Sequence, residues 1–408
     1  MNWFQRQIVK LAGLPSPDDD FWYRPVSAAA MAGGQYVDPV VSLQSVTYYA
    51  CVRLLSESIA SQPIGLWAVD ANGAERPFND HPAAWLFQYA PNEEQTTFEF
   101  FEQLSAHLCS WGNAYAWIEY DSKRNPSALR LISPDKCEAY RDKETGRKAF
   151  KVTEGTQPDI VPDTEDRILH VPGIGSDGIR GWSPVGILSR AIGSALSADQ
   201  YGAAFFANNA TPLQYVTFPN SLSGEARSAI GEWLKANHGG PANWHKPGVF
   251  EQGGEIKTVP VNHRDIQFLE LRKFNVEEIA RIFRVPLHLI QSLDRSTNNN
   301  IEHQGIDFGT YTIRPWNERI EARLNRSLLG PRQSQRLYFR FDMDAIMRGD
   351  AASRASYYST LRNIGAINAN EIRAKENLGN AYAGGDVYMV QGAMIPVDMA
   401  GKTQGGGA

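Results

Sequence analysis

Apolar positions recur near helical spacing from residue 45 to 61, where Val46, Tyr49, Ala50, Val52, Leu55 and Ile59 line up before Pro63 ends the run. Just beyond, IGLWAVDANGAERPF sets Asn72-Gly73 between two short extended runs, the turn chemistry of a hairpin. A second helical period covers 96–111. NAYAWIEY, LRLIS, KAFKVT and RILHVP then alternate apolar and polar residues between turn-rich breaks, the period of strands. This pattern predicts an α+β domain over roughly the first 180 residues.

The pattern then changes to long rods. Ser183-Pro184 offers an N-cap followed by proline at the first helical position, opening a proline-free run to about residue 208. Roughly 25 residues at ~1.5 Å each predict a rod of nearly 40 Å. It is rich in small side chains, among them Ala191, Ala195, Ala198 and Gly202, which let helices approach closely. A buried alanine-rich helix in a monomer would carry the same composition.

A compact insertion follows, with PLQYVTF as a strand, 223–237 as an amphipathic helix and KPGVFEQ as a second strand. A second rod spans 263–284 and is stopped by Pro286. After the loop LDRSTNNN a third helical run covers 301–329, in which Pro315 removes one backbone hydrogen bond and predicts a kink. RLYFRFDMD reads as a strand. The helix pair 350–363 and 368–378 closes the pattern, with Gly365 near the first C-cap and Asn368/Glu371 spaced as a capping box. Residues 1–40, with PSPDDD and AAAMAGG, and the tail 381–408, ending GKTQGGGA, are expected to be loose arms.

Composition adds bounds. Hydrophobic residues make up 42% and charged residues 21%, ordinary for a folded chain. Lys plus Arg total 40 against 45 Asp plus Glu, a net charge of −5, so tight non-specific binding to DNA through many neutralised phosphates is not expected. Cys51, Cys109 and Cys137 have no CxxC spacing, which predicts buried free thiols and a reducing compartment. No apolar run approaches the ~18 residues of a spanning helix, so no membrane partner is expected.

Chemical motifs are few. Gly173, Gly175 and Gly178 form a literal GxGxxG after RILHVP, which in a nucleotide-binding enzyme cradles a pyrophosphate at a helix N-terminus. Here the helix opens only after IRGWSP, and no acidic strand end follows about 20 residues on. A structural loop is the preferred reading and a nucleotide-binding enzyme the alternative. Asp342, Asp344 and Asp350 read either as a metal-binding carboxylate group or, preferably, as a strand end and a helix cap. The histidines show no HExxH pair, and neither GxxxxGK[ST] nor GxSxG occurs, so no metal, cofactor or catalytic residue is expected.

GWSPVGILSRA, FFANNATPLQYV, VEEIARIFRVPLHLI, TNNNIEHQ, IRPWNERIEARLN and FDMDAIMRGDAASRASYYSTLRNIGAINANEIRAKENL occur in an order that resembles the portal protein family of tailed double-stranded-DNA bacteriophages, over about residues 41–386. The resemblance implies an elongated α+β, multi-domain portal fold of wing, stem, clip and crown, assembled as a closed, commonly dodecameric ring. It implies a wing at 41–182, stem helices at 183–209 and 263–285, a clip at 210–262, a tunnel loop at 286–300, a kinked helix and return wing strand at 301–348 and a crown at 349–380.

On this resemblance Ala191, Ala195, Ala198 and Gly202 pack neighbouring stems in the ring. Ser292, Leu293, Asp294, Arg295, Ser296, Thr297, Asn298, Asn299 and Asn300 face the DNA channel. Arg295 and the asparagine amides suit transient phosphate contacts without base reading, while Asn300 equally suits a helix cap. Trp233, Lys235, Trp244, His245 and Lys246 suit a clip interface for partner proteins, or a clip core. The implied partners are further copies of the chain, double-stranded DNA, the terminase large subunit, a head-tail adaptor, and the major capsid or scaffolding protein. The implied location is the portal vertex of the virion, with the host cytoplasm during assembly.

Overall fold

The computed structural model describes residues 31–32, 35–155, 159–163, 166–207, 214–217, 223–238, 255–258, 264–290, 305–343, 351–376, 378–379 and 381–389. The chain divides into two units, residues 1–297 with 307–342 and residues 298–306 with 343–408.

In the first unit a short strand pair, β1 (Met31–Ala32) and β2 (Gln35–Tyr36), lies inside the stretch expected to be an arm, and both strands pack on the first long rod. The four-residue helix α1 (Pro39–Ser42) follows, capped by Asp38, whose carboxylate accepts from Val41 N at 2.6 Å. Helix α2 (Val46–Ala60) forms where expected, but its inward face is Tyr48, Cys51, Val52, Leu55 and Ile59; Val46 and Tyr49 turn out to solvent. Strands β3 (Ile64–Val69) and β4 (Glu75–Pro77) form the expected hairpin. The Asp70 carboxylate receives Asn72 N and Ala74 N, and Gly73 takes φ +82°, a left-handed conformation that suits glycine.

The short helix α3 (Pro82–Gln88) escapes the sequence pattern. Helix α4 (Thr97–Trp111) carries a full capping box between Thr96 and Glu99, satisfying two backbone donors, and ends at Gly112 with φ +72°. Strands β5 (Asn113–Tyr120), β6 (Pro126–Ile132), β7 (Cys137–Arg141), β8 (Lys148–Val152), β9 (Asp159–Pro162) and β10 (Ile168–Pro172) make two antiparallel three-stranded sheets, β10-β5-β6 and β7-β8-β9. The return strand β13 (Leu337–Phe341) pairs with β3, completing the sheet β13-β3-β4. Helices alternate with sheets along the chain and every strand pair among the described residues is antiparallel, an α+β arrangement.

Two clusters hold this unit. Phe87, Phe101, Phe339 and Phe341 meet with ring centroids 5.1–5.3 Å apart, tying α3 and α4 to the return strand. Tyr115, Ile132, Phe150, Val152, Val161 and Ile168 fill the space between the two sheets. The three cysteines are free and buried, and burial pushes the Cys51 and Cys137 thiols up to about 12.

The rods follow: α5 (Pro184–Ala207), about 36 Å long, and α7 (Arg264–Phe283), about 30 Å long. Between them in sequence, β11 (Gln214–Thr217) pairs with β12 (Glu255–Thr258), and α6 (Gly224–His238) is the expected amphipathic helix. The strand expected at KPGVFEQ lies outside the described residues. Helix α7 ends at Arg284, a non-glycine residue at φ +53°, while Val285 N reaches back to Ala280 O at 3.0 Å. The break expected at Pro315 takes the form of a π turn, Phe308–Ile313, directly before α8 (Arg314–Leu328). Arg314 N donates to Gly309 O, five residues back, so the ladder is already in a wider register where the prolyl nitrogen cannot donate.

In the second unit, α9 (Ala351–Asn363) and α10 (Ala369–Lys375) form the expected helix pair; α10 ends earlier than the pattern suggests. Gly365 adopts φ +72°, and the Asn368/Glu371 capping box closes with both bonds present.

Candidate functional site

The rods rise from a tight glycine hub. A Cβ on Gly112 would lie 1.8 Å from Trp182 O, one on Gly175 would lie 1.9 Å from Arg180 O, and one on Gly181 would lie 2.0 Å from Gly112 O. At these positions glycine is required because backbone lies against backbone. Asn113 pins the hub: its Oδ1 accepts from Gly181 N at 2.8 Å and its Nδ2 donates to Gly181 O at 2.9 Å. The same Oδ1 lies 3.1 Å from Nε2 of the buried His170, which stacks on Tyr115 at 4.6 Å. Burial, and then Lys148 and Arg323, hold the His170 pKa well below its ordinary value, so the ring is neutral with its proton on Nε2. Ser183 fixes the start of α5, donating from Oγ to Ser110 O at 3.0 Å and accepting from Gly186 N at 3.2 Å.

This geometry changes the reading of the GxGxxG loop. Gly173 N donates to Gly112 O and Trp182 N to Ile174 O. Ile179 N and Arg180 N both donate to Asp177 Oδ1 at 2.7 Å. Four backbone amides of the segment are thus engaged within the protein, two of them by the Asp177 carboxylate, whose charge disfavours an anion beside it. Helix α5 opens at Pro184, six residues after Gly178; Gly173 and Gly175 serve close packing, whereas Gly178 has open space around it and supplies a left-handed turn at φ +70°. Asp342 N donates to Pro63 O as part of the sheet end, and Asp344 and Asp350 lie outside the described residues. Among the described residues no group of three or more His, Cys, Asp or Glu side chains could hold a metal ion.

Above the hub the rods run antiparallel: Arg272 Nη2 meets Asp199 Oδ1 at 2.8 Å, and three residues later Asn275 Nδ2 meets Ser194 Oγ at 3.4 Å, five residues earlier on α5. Val185, Leu188, Ile192 and Leu196 are buried, as are Ile279, Ala280 and Phe283. The four small residues singled out on α5 part company here. Ala191 and Ala198 are buried within the chain, so their small size serves packing inside this subunit; Ala195 and Gly202 are half-buried.

Sequence reasoning missed the more telling face, on α7. Leu271, Phe274 and Ile282 fall within one helical face and are exposed at 43%, 50% and 45%. The signal was present, since QFLELRKFNVEEIARIF carries more apolar positions than one buried face can use.

Of the other expected site residues, Trp233 is exposed on α6 and Lys235 lies on the same helix. Trp244, His245 and Lys246 lie outside the described residues, as do Ser292, Leu293, Asp294, Arg295, Ser296, Thr297, Asn298, Asn299 and Asn300. Among the described residues no helix is long and apolar enough to cross a membrane.

The comparisons with known proteins cover nearly all of this architecture. The family model described as phage portal protein matches residues 46–377. The portal protein of Enterobacteria phage HK97 is 30% identical over 409 aligned positions, spanning 99% of this chain and 95% of that protein. A crystal structure of an HK97 family phage portal protein from Corynebacterium diphtheriae aligns with a TM-score of 0.57 at 18% identity, covering 76% of this chain and 96% of that one. A subunit in the neck of a native gene transfer agent particle with C12 symmetry aligns with a TM-score of 0.57 at 22% identity, covering 86% and 98%.

Proposed function

The chain belongs to the phage portal protein family, and from that premise we propose that its copies close into a ring lining a channel at one capsid vertex, through which double-stranded DNA is packaged and ejected. The observation that carries the assembly is the exposed apolar stripe Leu271, Phe274 and Ile282 on a rod already packed on its other side. A solvated helix has no use for three large apolar side chains on one face, whereas a neighbouring subunit in a ring covers them. The C12 symmetry of the neck relative supports a count of twelve.

In this reading 41–182 and the return strand form the wing, α5 and α7 the stem, 210–262 the clip and 349–380 the crown. Residues 292–300 form the tunnel loop beside DNA, with contacts to phosphate rather than to bases. The clip carries Trp233 and its neighbours toward the terminase large subunit during packaging and toward a head-tail adaptor afterwards, while the outer ring meets the capsid or scaffolding protein. The protein is then a component of the virion's portal vertex, made in the host cytoplasm, and its role is mechanical.

Electron microscopy of the purified full-length chain tests the ring. Closed rings with a central channel are expected, and compact monomers at high concentration would overturn the proposal. Ala195→Trp, at a half-buried stem position, is expected to prevent closure; unaltered rings would remove that residue from the stem contact.

A further inference from the structure

Beside the glycine hub, between the root of α5, the end of α7 and the π turn, lies a cleft of about 340 Å³. Trp182, Ile187, Phe283 and Trp316 give it apolar walls, and at its mouth Tyr311 and Ile187 are exposed at 64% and 42%. Among the described residues that line it the charged ones are Arg284 and Arg319, both cations. Arg319 lies over the Trp316 ring at 5.6 Å, and among the described residues no carboxylate is paired with it.

Positive charge continues along α8. Arg323 is half-buried one helical turn on, and Arg326 and Lys148 share the single carboxylate of Asp163 at 3.8 and 3.5 Å. Burial holds the Arg319 and Arg323 pKa values below their ordinary range and brings Lys148 down to about 8. Half-buried cations in excess of their counter-ions, next to an open apolar cleft, are two unfavourable features that one ligand relieves: carboxylates adjoining aromatic rings. A DNA backbone supplies anions but nothing apolar to enter the cleft, so the lining favours a protein segment.

The chain carries such a segment. Residues 18–23 read Asp-Asp-Asp-Phe-Trp-Tyr, three carboxylates followed by three aromatic rings. From Tyr23 to Met31, where β1 begins against α5, eight residue steps reach at most about 28 Å.

We infer that residues 18–23 dock in this cleft, the aromatic side chains entering beside Ile187 and Trp316 and the carboxylates facing Arg284 and Arg319. Ile282 lines both this cleft and the edge of the exposed stripe on α7, so the inference shares that residue with the portal reading; it does not depend on rings, since the occupant can come from the same copy or from a neighbour.

Disulfide trapping in the full-length chain tests it. The native cysteines Cys51, Cys109 and Cys137 are buried and leave the background low. Tyr23→Cys with Ile187→Cys is expected to cross-link at least about tenfold faster than Tyr23→Cys with Lys143→Cys, a pair reporting chance encounter. On a non-reducing gel a shifted monomer band marks the chain's own segment and a ladder marks a neighbour's; both support docking, and the first does so even in a preparation without rings. Arg284→Glu with Arg319→Glu should slow the cross-link to the control rate, and Asp18→Arg, Asp19→Arg and Asp20→Arg together should restore it. High salt gives the same slowing without substitution at the arginines. Equal rates for the cleft and control pairs, or a rate indifferent to both charge reversal and salt, would overturn the inference.

Discussion

Helix α5 turns Val185, Leu188, Ile192 and Leu196 inward and is rooted in a hub where backbone touches backbone, whereas α7, its antiparallel partner, holds Leu271, Phe274 and Ile282 out to solvent. The first rod is fixed by its own chain at its root, with Ile187 and Tyr201 left exposed along it. The second keeps one face for something else. Close-packed regions tolerate no added volume, and a face left apolar and open contributes little to the fold but much to association. A subunit that must be rigid before it assembles is expected to separate these two roles.

The hub is where that contrast breaks most readily. Gly181→Val puts side-chain atoms into Gly112 O and Gly173 N, which a Cβ already meets at 2.0 and 2.5 Å, and should lower stability by on the order of 4 kcal/mol or more, measured by chemical denaturation. A loss below about 1 kcal/mol would mean the loop relaxes and the hub is not rigid.

Acid should act next. His107 is buried with its pKa lowered to about 4 by burial, and His170 is held well below its ordinary value. With folded values depressed, the unfolded chain takes up protons first as pH falls below 6.5. Stability is therefore fully present above that pH and is lost on the way down, complete for His107 near 4. That window corresponds to roughly 3 kcal/mol for His107, at about 1.4 kcal/mol per pKa unit. His107→Gln should flatten the profile between pH 6.5 and 4 in thermal melts, and an unchanged slope would show that the imidazole is solvated.

Smaller effects sharpen the comparison. Ser183→Ala removes a helix cap and a bond to Ser110 O, and should cost about 1–2 kcal/mol in denaturant unfolding. Asp199→Asn breaks an ion pair to Arg272 whose side chains are 44% and 54% exposed, and should change stability by less than about 0.5 kcal/mol. If the second exceeds the first, the rods are held together along their length and not at the root.

Much of this was legible in the chain. Ser183-Pro184, the Asn368/Glu371 box and Pro286 mark helix ends through local chemistry, and local chemistry needs no tertiary knowledge. Helix α3 was hidden because it has only seven residues and a histidine cap, and β9 because it is four residues ending in proline. The glycines at 173, 175 and 181 were visible, but what lies opposite them is set by distant Gly112 and Trp182, which no local motif reveals. Small size at Ala191 and Ala198 likewise did not say whether the close neighbour belongs to the same chain.

Mass photometry of the Leu271→Ser, Phe274→Ser double variant beside the parent chain addresses the separation of roles directly. The parent should give closed-ring masses, and the variant should give monomers that keep the parent's circular dichroism spectrum and still unfold cooperatively, as substitutions at exposed positions allow. Rings of undiminished abundance in the variant would contradict the assignment of α7 as the assembling face.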